Sequence, residues 1–503
     1  MVGKREILCP YCCKRFGTNE VHFRLKSPLN DDVEEVAQED DDAIGTGIGR
    51  RRSSERKNSG NNQGKVLDER LYHYYEAIHD EDTARMEAMK YGFVEFNVMD
   101  PQIEYNRQDF QRHGYVNAIR YQGQELTTRL CPYCHMDLIQ SAGKYDMYMV
   151  SVIGDTAVGK SIYLAVLQTM IEKGPFNASM LFMGTKEEKE HYLSVKKKVV
   201  VEQRGVEATI GRVPPLTFQL TFDRADSMSR NGRESILVTF CDIAGEMCRD
   251  SEDLQIYGNH LRESDGLMFL VDPTRFGRVK NSIDEEVKIG NGYQLEVISA
   301  INQFLVSGTY DTHSGIPAAV MVTKSDVLKG LPYFQNSEKK MSLLNDPDWN
   351  DIHAGYLNED EINRINDAVT EFLDAMGEQD FTRKMKDLFQ SYSFFINSAL
   401  GHSLNKEDES SDAQELLRRG NISPYRVTEA FYWILAENNV IPRKLVHKYR
   451  NEKTNEEKIV SLYYYKSDDA MYIRQKMESL KAAQGIKNSL FGGKWVLLSE
   501  NYS

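Results

Sequence analysis

One glycine-rich segment of the chain has the composition of a phosphate-binding loop. It runs Gly154-Asp-Thr-Ala-Val-Gly159-Lys160-Ser161 and directly follows an apolar run. The glycines let backbone N–H groups point into one concavity, a lysine in this place reaches the β- and γ-phosphates, and the serine hydroxyl binds Mg²⁺. The residues predicted to bind the phosphates of a nucleotide are Gly154, Asp155, Thr156, Ala157, Val158, Gly159, Lys160 and Ser161.

An acidic motif ends the apolar run 236–241. It consists of Asp242-Ile-Ala-Gly245-Glu246. A carboxylate at the tip of a strand beside a phosphate loop can hold Mg²⁺, and the N–H of a following glycine can bind the γ-phosphate. Alone, a D-x-x-G segment is common and is often only a turn. In this context we predict that Asp242 is a Mg²⁺ partner and that Gly245 contacts the nucleotide.

The chain also carries two near copies of a cysteine motif. Cys9-Pro-Tyr-Cys12 and Cys131-Pro-Tyr-Cys134 each follow an apolar residue, and each is predicted to lie on a short hairpin. Four thiolates are a full ligand set for a tetrahedral structural Zn²⁺ ion. The pairs lie much farther apart than the about 15 to 20 residues of a compact site, but loop-closure entropy grows only with the logarithm of length. We predict one shared zinc site.

Three other interpretations of the cysteine pairs stay open. Cys-Pro-Tyr-Cys is also the dithiol motif of glutaredoxin-like enzymes, although neither copy has βαβ flanks. The segment from Cys131 to His135 formally matches a c-type haem attachment site, but the first copy has Cys13 where the histidine would stand. Each pair could instead bind its own metal with Cys13, His22 or His135.

Short, almost continuous apolar runs are typical of strands that are buried on both faces, as in a parallel sheet covered by helices. After Tyr145 such runs alternate with polar, helix-like segments; they span 148–153, 236–241, 266–271, 318–323 and 394–397, and a further strand is predicted over 216–222. A helix is predicted over 162–171, directly after the phosphate loop. The predicted fold is therefore α/β with a mostly parallel sheet.

Two further motifs follow the last two of these runs. They are Thr323-Lys324-Ser325-Asp326 and Ser398-Ala399-Leu400. With the phosphate loop and the D-x-x-G segment, they stand in the order in which Ras-like GTPases carry their motifs, and the chain resembles that family.

This resemblance implies a base site for GTP or GDP. In it the stem of Lys324 lies along the base, the Asp326 carboxylate accepts from guanine N1–H and N2–H₂, and the Ala399 N–H donates to O6; Thr323, Ser398 and Leu400 complete the site. Thr323 stands where asparagine is commoner, so adenine stays possible.

The resemblance also implies catalytic positions. The family's switch threonine, which closes on Mg²⁺, is assigned to Thr209, with Thr217 as the alternative. Glu246 stands where many members have a glutamine that orients the attacking water. We assign catalysis to Glu246 and Lys160, and expect slow hydrolysis because a carboxylate adds negative charge beside the γ-phosphate.

Two arginines are candidates for a cis arginine finger. They are Arg249 and Arg275, and each is more often a solvent-exposed surface residue.

A closer resemblance comes from the cysteine pairs that directly precede the phosphate loop. Together with Val271-Asp-Pro273 and an apolar helix predicted over 427–435, they resemble the zinc-ribbon-bearing, TRAFAC-class GTPases of bacterial conflict systems, called double-GTPase proteins. This resemblance implies a regulatory GTPase that works with a partner GTPase or effector proteins. It covers the cysteine pairs and residues 145 to about 440.

Five segments follow from these patterns. They are a zinc ribbon (1–25 and 126–144), a disordered loop with an acidic run and an arginine-rich tract (26–65), a helical or mixed insert (66–125), the G domain (145–440) and a C-terminal extension with a hairpin and a helix (441–503).

Composition limits the other classes of protein. The 503 residues carry a net charge of -14, which disfavours nucleic acid as a partner. No run approaches the about 20 apolar residues that cross a bilayer, and the N-terminus lacks an apolar export signal, so we expect a cytoplasmic protein. The functional alternatives are a nucleotide-responsive scaffold without turnover and a zinc-dependent nucleic-acid binder with an attached NTPase.

Overall fold

The computed structural model describes most of the chain. The described residues are 6–25, 67–76, 79–155, 158–172, 178–202, 214–222, 235–242, 258–282, 294–307, 314–345, 356–401, 422–486 and 494–499. They belong to two compact units, Met1–Lys144 and Tyr145–Ser503. The predicted loop 26–65 lies outside the described residues.

The N-terminal unit is built from short antiparallel strands and short helices. Its strands are β1 (Glu6–Leu8), β2 (Arg15–Gly17), β3 (His22–Arg24), β4 (Phe93–Glu95), β5 (Ile103–Tyr105), β6 (Ile119–Tyr121), β7 (Gln124–Leu126) and β8 (Arg129–Leu130). Its helices are α1 (Glu69–Glu76), α2 (Glu81–Ala88) and α3 (Arg107–His113). The strands form three sheets: β1–β2, β4–β3–β8 and β5–β6–β7.

Both cysteine pairs of this unit lie on hairpins, as predicted. The first lies between β1 and β2, which pair antiparallel. The second follows β8, where Leu130 forms an antiparallel bridge with Asp137. Because β8 and β4 both pair with β3, the two segments of the predicted ribbon and part of the predicted insert share one sheet.

The second unit contains the large sheet that the apolar runs predict. The strands of the whole second unit are β9 (Met147–Gly154), β10 (Ala178–Phe182), β11 (Leu216–Phe222), β12 (Ser235–Asp242), β13 (Gly266–Val271), β14 (Ala318–Val322), β15 (Leu357–Asn358), β16 (Tyr392–Ile396), β17 (Arg443–Asn451), β18 (Glu457–Tyr464) and β19 (Trp495–Ser499). The large sheet has the order β10-β11-β12-β9-β13-β14-β16. Strands β12, β9, β13, β14 and β16 are mutually parallel, and β11 runs against its neighbours.

Helices cover this sheet. The helices of the whole second unit are α4 (Lys160–Glu172), α5 (Lys186–Lys196), α6 (Asn259–Arg262), α7 (Gly277–Lys280), α8 (Gln294–Val306), α9 (Pro332–Gln335), α10 (Glu338–Met341), α11 (Glu359–Ala375), α12 (Gln379–Leu388), α13 (Glu429–Glu437) and α14 (Ala470–Ala483). Every residue of β13 and β14 is buried, which is why these runs show no polar alternation. The predicted mostly parallel α/β fold is confirmed.

Helix α13 lies so close to the sheet that the sheet needs a glycine beneath it. A Cβ atom at Gly266 would lie 2.4 Å from Cγ2 of Ile434. The ring of Phe431 packs against Phe240 of β12, with 5.4 Å between the centroids. An apolar helix was predicted over 427–435, and α13 occupies Glu429–Glu437.

The predicted C-terminal hairpin and helix are present. Strands β17 and β18 form an antiparallel hairpin, and β15 and β19 also pair with β17. Helix α14 buries Met477 against Tyr449, Val460 and Leu462 of this sheet. Because β15 comes from residues 357–358, the sheet also uses a segment from within the predicted G domain. Among the described residues, no helix is long and apolar enough to span a membrane.

Candidate functional site

The phosphate loop connects β9 to α4, the strand-loop-helix context that the motif requires. Nζ of Lys160 donates to the carbonyl oxygen of Gly154 over 2.9 Å, so the buried ammonium already lies within the loop. A Cβ atom at Gly154 would lie 2.7 Å from Val158 and 3.0 Å from the Leu270 carbonyl, and Gly159 has φ +98. Both positions therefore need glycine. Ser161 is the second residue of α4, and Thr156 and Ala157 lie outside the described residues.

The proposed metal carboxylate lies on the strand next to this loop. Asp242 is the last residue of β12 and is in register with Val152 of β9. The two parallel strands therefore end at the same edge of the sheet, as a shared Mg²⁺ site would require. Gly245, Glu246, Thr209 and Arg249 lie outside the described residues. The alternative switch residue Thr217 is buried on β11, and its hydroxyl lies 3.0 Å from that of Thr239.

The two base-site motifs lie side by side because β14 and β16 are neighbours. The Ser398 hydroxyl donates to Oδ1 of Asp326 over 2.5 Å and accepts from the N–H of Gly401 over 2.8 Å. The N–H of Ser325 donates to the Asn397 carbonyl over 3.2 Å. These bonds connect the Asp326 segment to the Ser398–Leu400 loop.

Thr323 stands where asparagine is commoner, and it makes two hydrogen bonds to the neighbouring strand. Its hydroxyl and its N–H both donate to the Val271 carbonyl, over 3.2 and 2.9 Å. Lys324 then takes the left-handed conformation, with φ 50, which turns the chain out of the strand.

Tyr425 contacts both segments of the base site, although it belongs to none of the sequence motifs. Its hydroxyl lies 2.9 Å from that of Ser325, and its backbone forms an antiparallel bridge with Ser398. The ammonium of Lys329 lies 5.0 Å from the centroid of its ring. A lone tyrosine outside any motif gives no sequence signal, because its role depends on contacts between distant segments.

Asp272 and Arg275 make contacts at the site that the sequence does not reveal. Nζ of Lys324 donates to Oδ2 of Asp272 over 2.7 Å, and Arg275 donates to the carboxylate of Asp155 in the phosphate loop. The expectation that Arg275 is a surface arginine is wrong, because its side chain is 6% exposed and paired with a buried carboxylate.

The four predicted zinc ligands lie together in the N-terminal unit. Their sulfur atoms all lie within 4.8 Å of one another; Sγ of Cys9 and Cys134 are 3.7 Å apart, and Sγ of Cys12 and Cys131 are 3.6 Å apart. A tetrahedral zinc ion with Zn–S bonds of about 2.3 Å requires S···S edges of about 3.8 Å. The donor set therefore fits Zn²⁺. Within the described part of the chain, no other group of three or more His, Cys, Asp or Glu residues has this geometry.

The residues that follow each pair have equivalent backbone positions. Cys13 and His135 both have positive φ, 60 and 54. The two knuckles, which are the turns formed by Cys9–Cys12 and by Cys131–Cys134, therefore turn in the same way. Burial raises the pKa of the Cys9 thiol well above its usual range.

A buried polar cluster holds the insert against the second knuckle. Nδ1 of His135 donates to Asp68 over 2.7 Å. Its Nε2 lies 3.1 Å from Nη1 of Arg70 and 2.9 Å from Nδ1 of His22, and Arg70 also donates to the Pro132 carbonyl. Burial, with the neighbouring His135, lowers the pKa of His22 to about 4.

This cluster bears on the alternative of two separate metals. Both nitrogens of His135 and Nδ1 of His22 are engaged in contacts with each other, with Asp68 and with Arg70, and Nε2 of His22 lies 3.9 Å from Glu95. The geometry therefore favours one shared four-thiolate site.

Comparison with known family models finds one match, and it lies within the second unit. Residues 148–376 match the family model described as Double-GTPase 2. A search of the curated proteins finds no match.

Three solved structures illustrate the similarity to G domains. Sup35 complexed with GDP is 11% identical over 52% of this chain and 38% of its own, with a TM-score of 0.21. The Arl6 BBS3 small GTPase from Trypanosoma brucei, with bound GppNp, is 14% identical over 57% of this chain and 95% of its own, with a TM-score of 0.24. The GTPase-like domain of Ski7 from S. cerevisiae, bound to GTP, is 10% identical over 71% of this chain and 75% of its own, with a TM-score of 0.28.

This chain spans only 38% of the length of the Sup35 chain. The assignment therefore rests on the strand order, on the phosphate loop between β9 and α4, and on the match over residues 148–376. Residues 148–376 therefore match the double-GTPase family model, and the second unit has the fold of a P-loop G domain.

Proposed function

We propose that the second unit binds GTP or GDP with Mg²⁺ and acts as a regulatory switch that hydrolyses GTP slowly. The observation that carries this proposal is the hydrogen bond from Ser398 to Asp326. It fixes the orientation of the Asp326 carboxylate, whose two oxygens would accept from guanine N1–H and N2–H₂. Lys160 would face the β/γ-phosphates, and Ser161, Asp242 and Thr209 would serve Mg²⁺.

Nucleotide choice is tested directly on the purified chain. Mass spectrometry of the co-purified nucleotide is expected to find GDP or GTP, and titration is expected to give tighter binding of GTP than of ATP. A preference for ATP would leave a P-loop NTPase and remove the guanine assignment.

Glu246→Gln separates an enzyme from a scaffold. If Glu246 positions the attacking water, the variant changes the rate of phosphate release under multiple-turnover conditions and leaves the Kd for GTP unchanged. Unchanged turnover would remove Glu246 from the catalytic residues. A wild-type rate no higher than that of Lys160→Ala would favour the alternative, a scaffold that binds nucleotide without significant turnover.

The N-terminal unit is proposed to be a zinc ribbon split by an insert. The S···S distances of 3.6 and 3.7 Å in the four-cysteine group support this proposal. The metal would be structural, because four thiolates leave no open coordination position. It would close the loop between the two knuckles and keep the insert folded against the second one.

We expect about one Zn²⁺ per chain by elemental analysis. Replacing any one of Cys9, Cys12, Cys131 and Cys134 with serine should release the metal and expose residues 1–144 to protease. Cys13→Ser is the matched control, because Cys13 directly follows the first pair but lies outside the group of four. It should keep the zinc. Zero or two zinc ions per wild-type chain would contradict the shared site.

Protein partners are a further part of the proposal. The match to a double-GTPase family model supports a switch that acts on a second GTPase or an effector, as in a bacterial conflict system. Pull-down with the chain loaded with GDP or with a non-hydrolysable GTP analogue tests this. A partner that distinguishes the two loaded states supports a switch, and identical partner sets in both states would contradict it.

A further inference from the structure

A line of alternating charges joins the two ends of the nucleotide site. Asp155 of the phosphate loop pairs with Arg275, and the Nε atom of Arg275 lies 3.9 Å from Asp272. Asp272 in turn accepts from Lys324 of the base site over 2.7 Å. The side chains of both aspartates are 3% exposed, and that of Lys324 is 37% exposed.

Asp272 uses its two oxygens for different purposes. Oδ1 accepts from the N–H and the hydroxyl of Thr274, over 3.0 and 2.7 Å, and so caps the 3₁₀ turn Pro273–Arg275. Oδ2 accepts from Lys324. One carboxylate therefore fixes both the lysine of the base site and the turn that carries Arg275 to the phosphate loop.

Burial favours the present pairing of these four charged side chains. A buried charge is costly unless it is paired and hydrogen-bonded, so each group in the line has a strong preference for its present partner. The line begins at the second residue of the phosphate loop and ends two residues before Asp326. A change in the position of Asp272 would therefore displace Lys324 at one end of the site and Arg275 at the other.

We propose that Asp272 is a positioning residue for nucleotide binding, which holds the stem of Lys324 in place for the purine face. This inference rests on the proposed function, because it assumes that Lys324 lies along the base. The stem contacts the face of the ring, which all purines share, whereas Asp326 reads the ring edge. Asp272 therefore sets affinity, and Asp326 sets the choice of base.

Asp272→Asn is the first test. The amide keeps the size of the side chain and an acceptor for Thr274, but it loses the charge that holds Lys324. The Kd for GDP is expected to rise about tenfold. In an Asp326→Asn background, the Kd for XDP is expected to rise by the same factor. The direction of the change in Kd is informative, because removal of a negative charge near an anionic ligand would by itself strengthen binding. Unchanged or tighter binding would overturn the proposal.

The matched control comes from the same strand. Asp265 directly precedes β13 as Asp272 directly follows it, and Oδ2 of Asp265 accepts from the N–H of Met149 over 2.7 Å. Asp265→Asn removes a carboxylate at the opposite edge of the sheet, and it should leave the Kd for GDP unchanged. A tenfold loss in this variant too would mean that the fold, and not the Asp272–Lys324 pair, controls affinity.

A double-mutant cycle shows whether Asp272 acts through Lys324. Lys324→Met keeps an unbranched stem and removes only the charge, so it should cost about the same tenfold, and the double variant should cost little more than either single one. Losses that multiply would overturn the proposal. If melting curves show that Asp272→Asn is poorly folded, Lys324→Met at the more exposed partner carries the test alone. If wild type prefers ADP to GDP, the guanine assignment fails, and the same cycle with ADP still tests Asp272.

Discussion

Asp326→Asn is expected to shift nucleotide preference from guanine to xanthine. A carboxylate accepts from both guanine N1–H and N2–H₂, whereas an amide N–H₂ in place of one oxygen meets the guanine amino group. The charge-assisted hydrogen bonds that are lost are worth about 1.5 to 3 kcal/mol each. The affinity for GTP should therefore fall at least ~100-fold.

The contact with Ser398 determines which atom of the new amide meets the base. The Ser398 hydroxyl donates to Oδ1 of Asp326 over 2.5 Å and already accepts from the N–H of Gly401, so we expect it to go on donating to the oxygen of an amide. The amide nitrogen therefore takes the place of Oδ2. Xanthine has a carbonyl where guanine has the amino group, so the variant can donate to it, and XTP should bind more tightly than it binds to wild type.

The measurement is a set of dissociation constants for GTP, ATP and XTP. Asp326→Ala is the matched control, because it should lose GTP without gaining XTP. A misfolded protein cannot gain affinity for a new ligand. If Asp326→Asn binds all three nucleotides as wild type does, residues 323–326 are only the end of a strand, and the base assignment fails.

Lys160→Ala is expected to abolish nucleotide binding. The Lys160 ammonium already lies in the loop, 2.9 Å from the Gly154 carbonyl, and in the proposed function it would face the β/γ-phosphates of a bound nucleotide. The side chain is buried, so water cannot compensate for the loss of its positive charge. We expect the Kd for GTP to rise at least ~100-fold, which corresponds to about 2.8 kcal/mol.

Two comparisons make the Lys160 result specific. Lys186→Ala removes a lysine that is 83% exposed at the start of α5, and it should leave the Kd unchanged. Asp242→Ala should remove the Mg²⁺ dependence of tight GTP binding, because it removes the carboxylate next to the loop. If Lys160→Ala binds GTP as wild type does, the segment between β9 and α4 is a structural glycine loop.

Most of the large sheet can be predicted from the sequence. The run 266–271 matches β13 at both ends, and the other apolar runs match strands to within two residues. These predictions succeed because burial on both faces leaves a continuous apolar pattern that needs no knowledge of neighbours. The strand β10 has no such pattern and was not predicted; it lies at the edge of the sheet, where one strand partner is enough.

The sequence by itself determined which residues could do chemistry. The spacing of the glycines with Lys160, the repeated cysteine pairs and the order of the motifs depend only on local chain geometry, and a local pattern is visible in one sequence. The tertiary structure decided which groups hold these residues in place. Asp272 on Lys324, Arg275 on Asp155, Tyr425 on Ser325 and Asp68 on His135 are all contacts between segments distant in the chain. Such contacts follow from the strand order β12-β9-β13-β14-β16 and from the packing of the insert, because a polar side chain acquires its partner only when the sheet brings the two segments together.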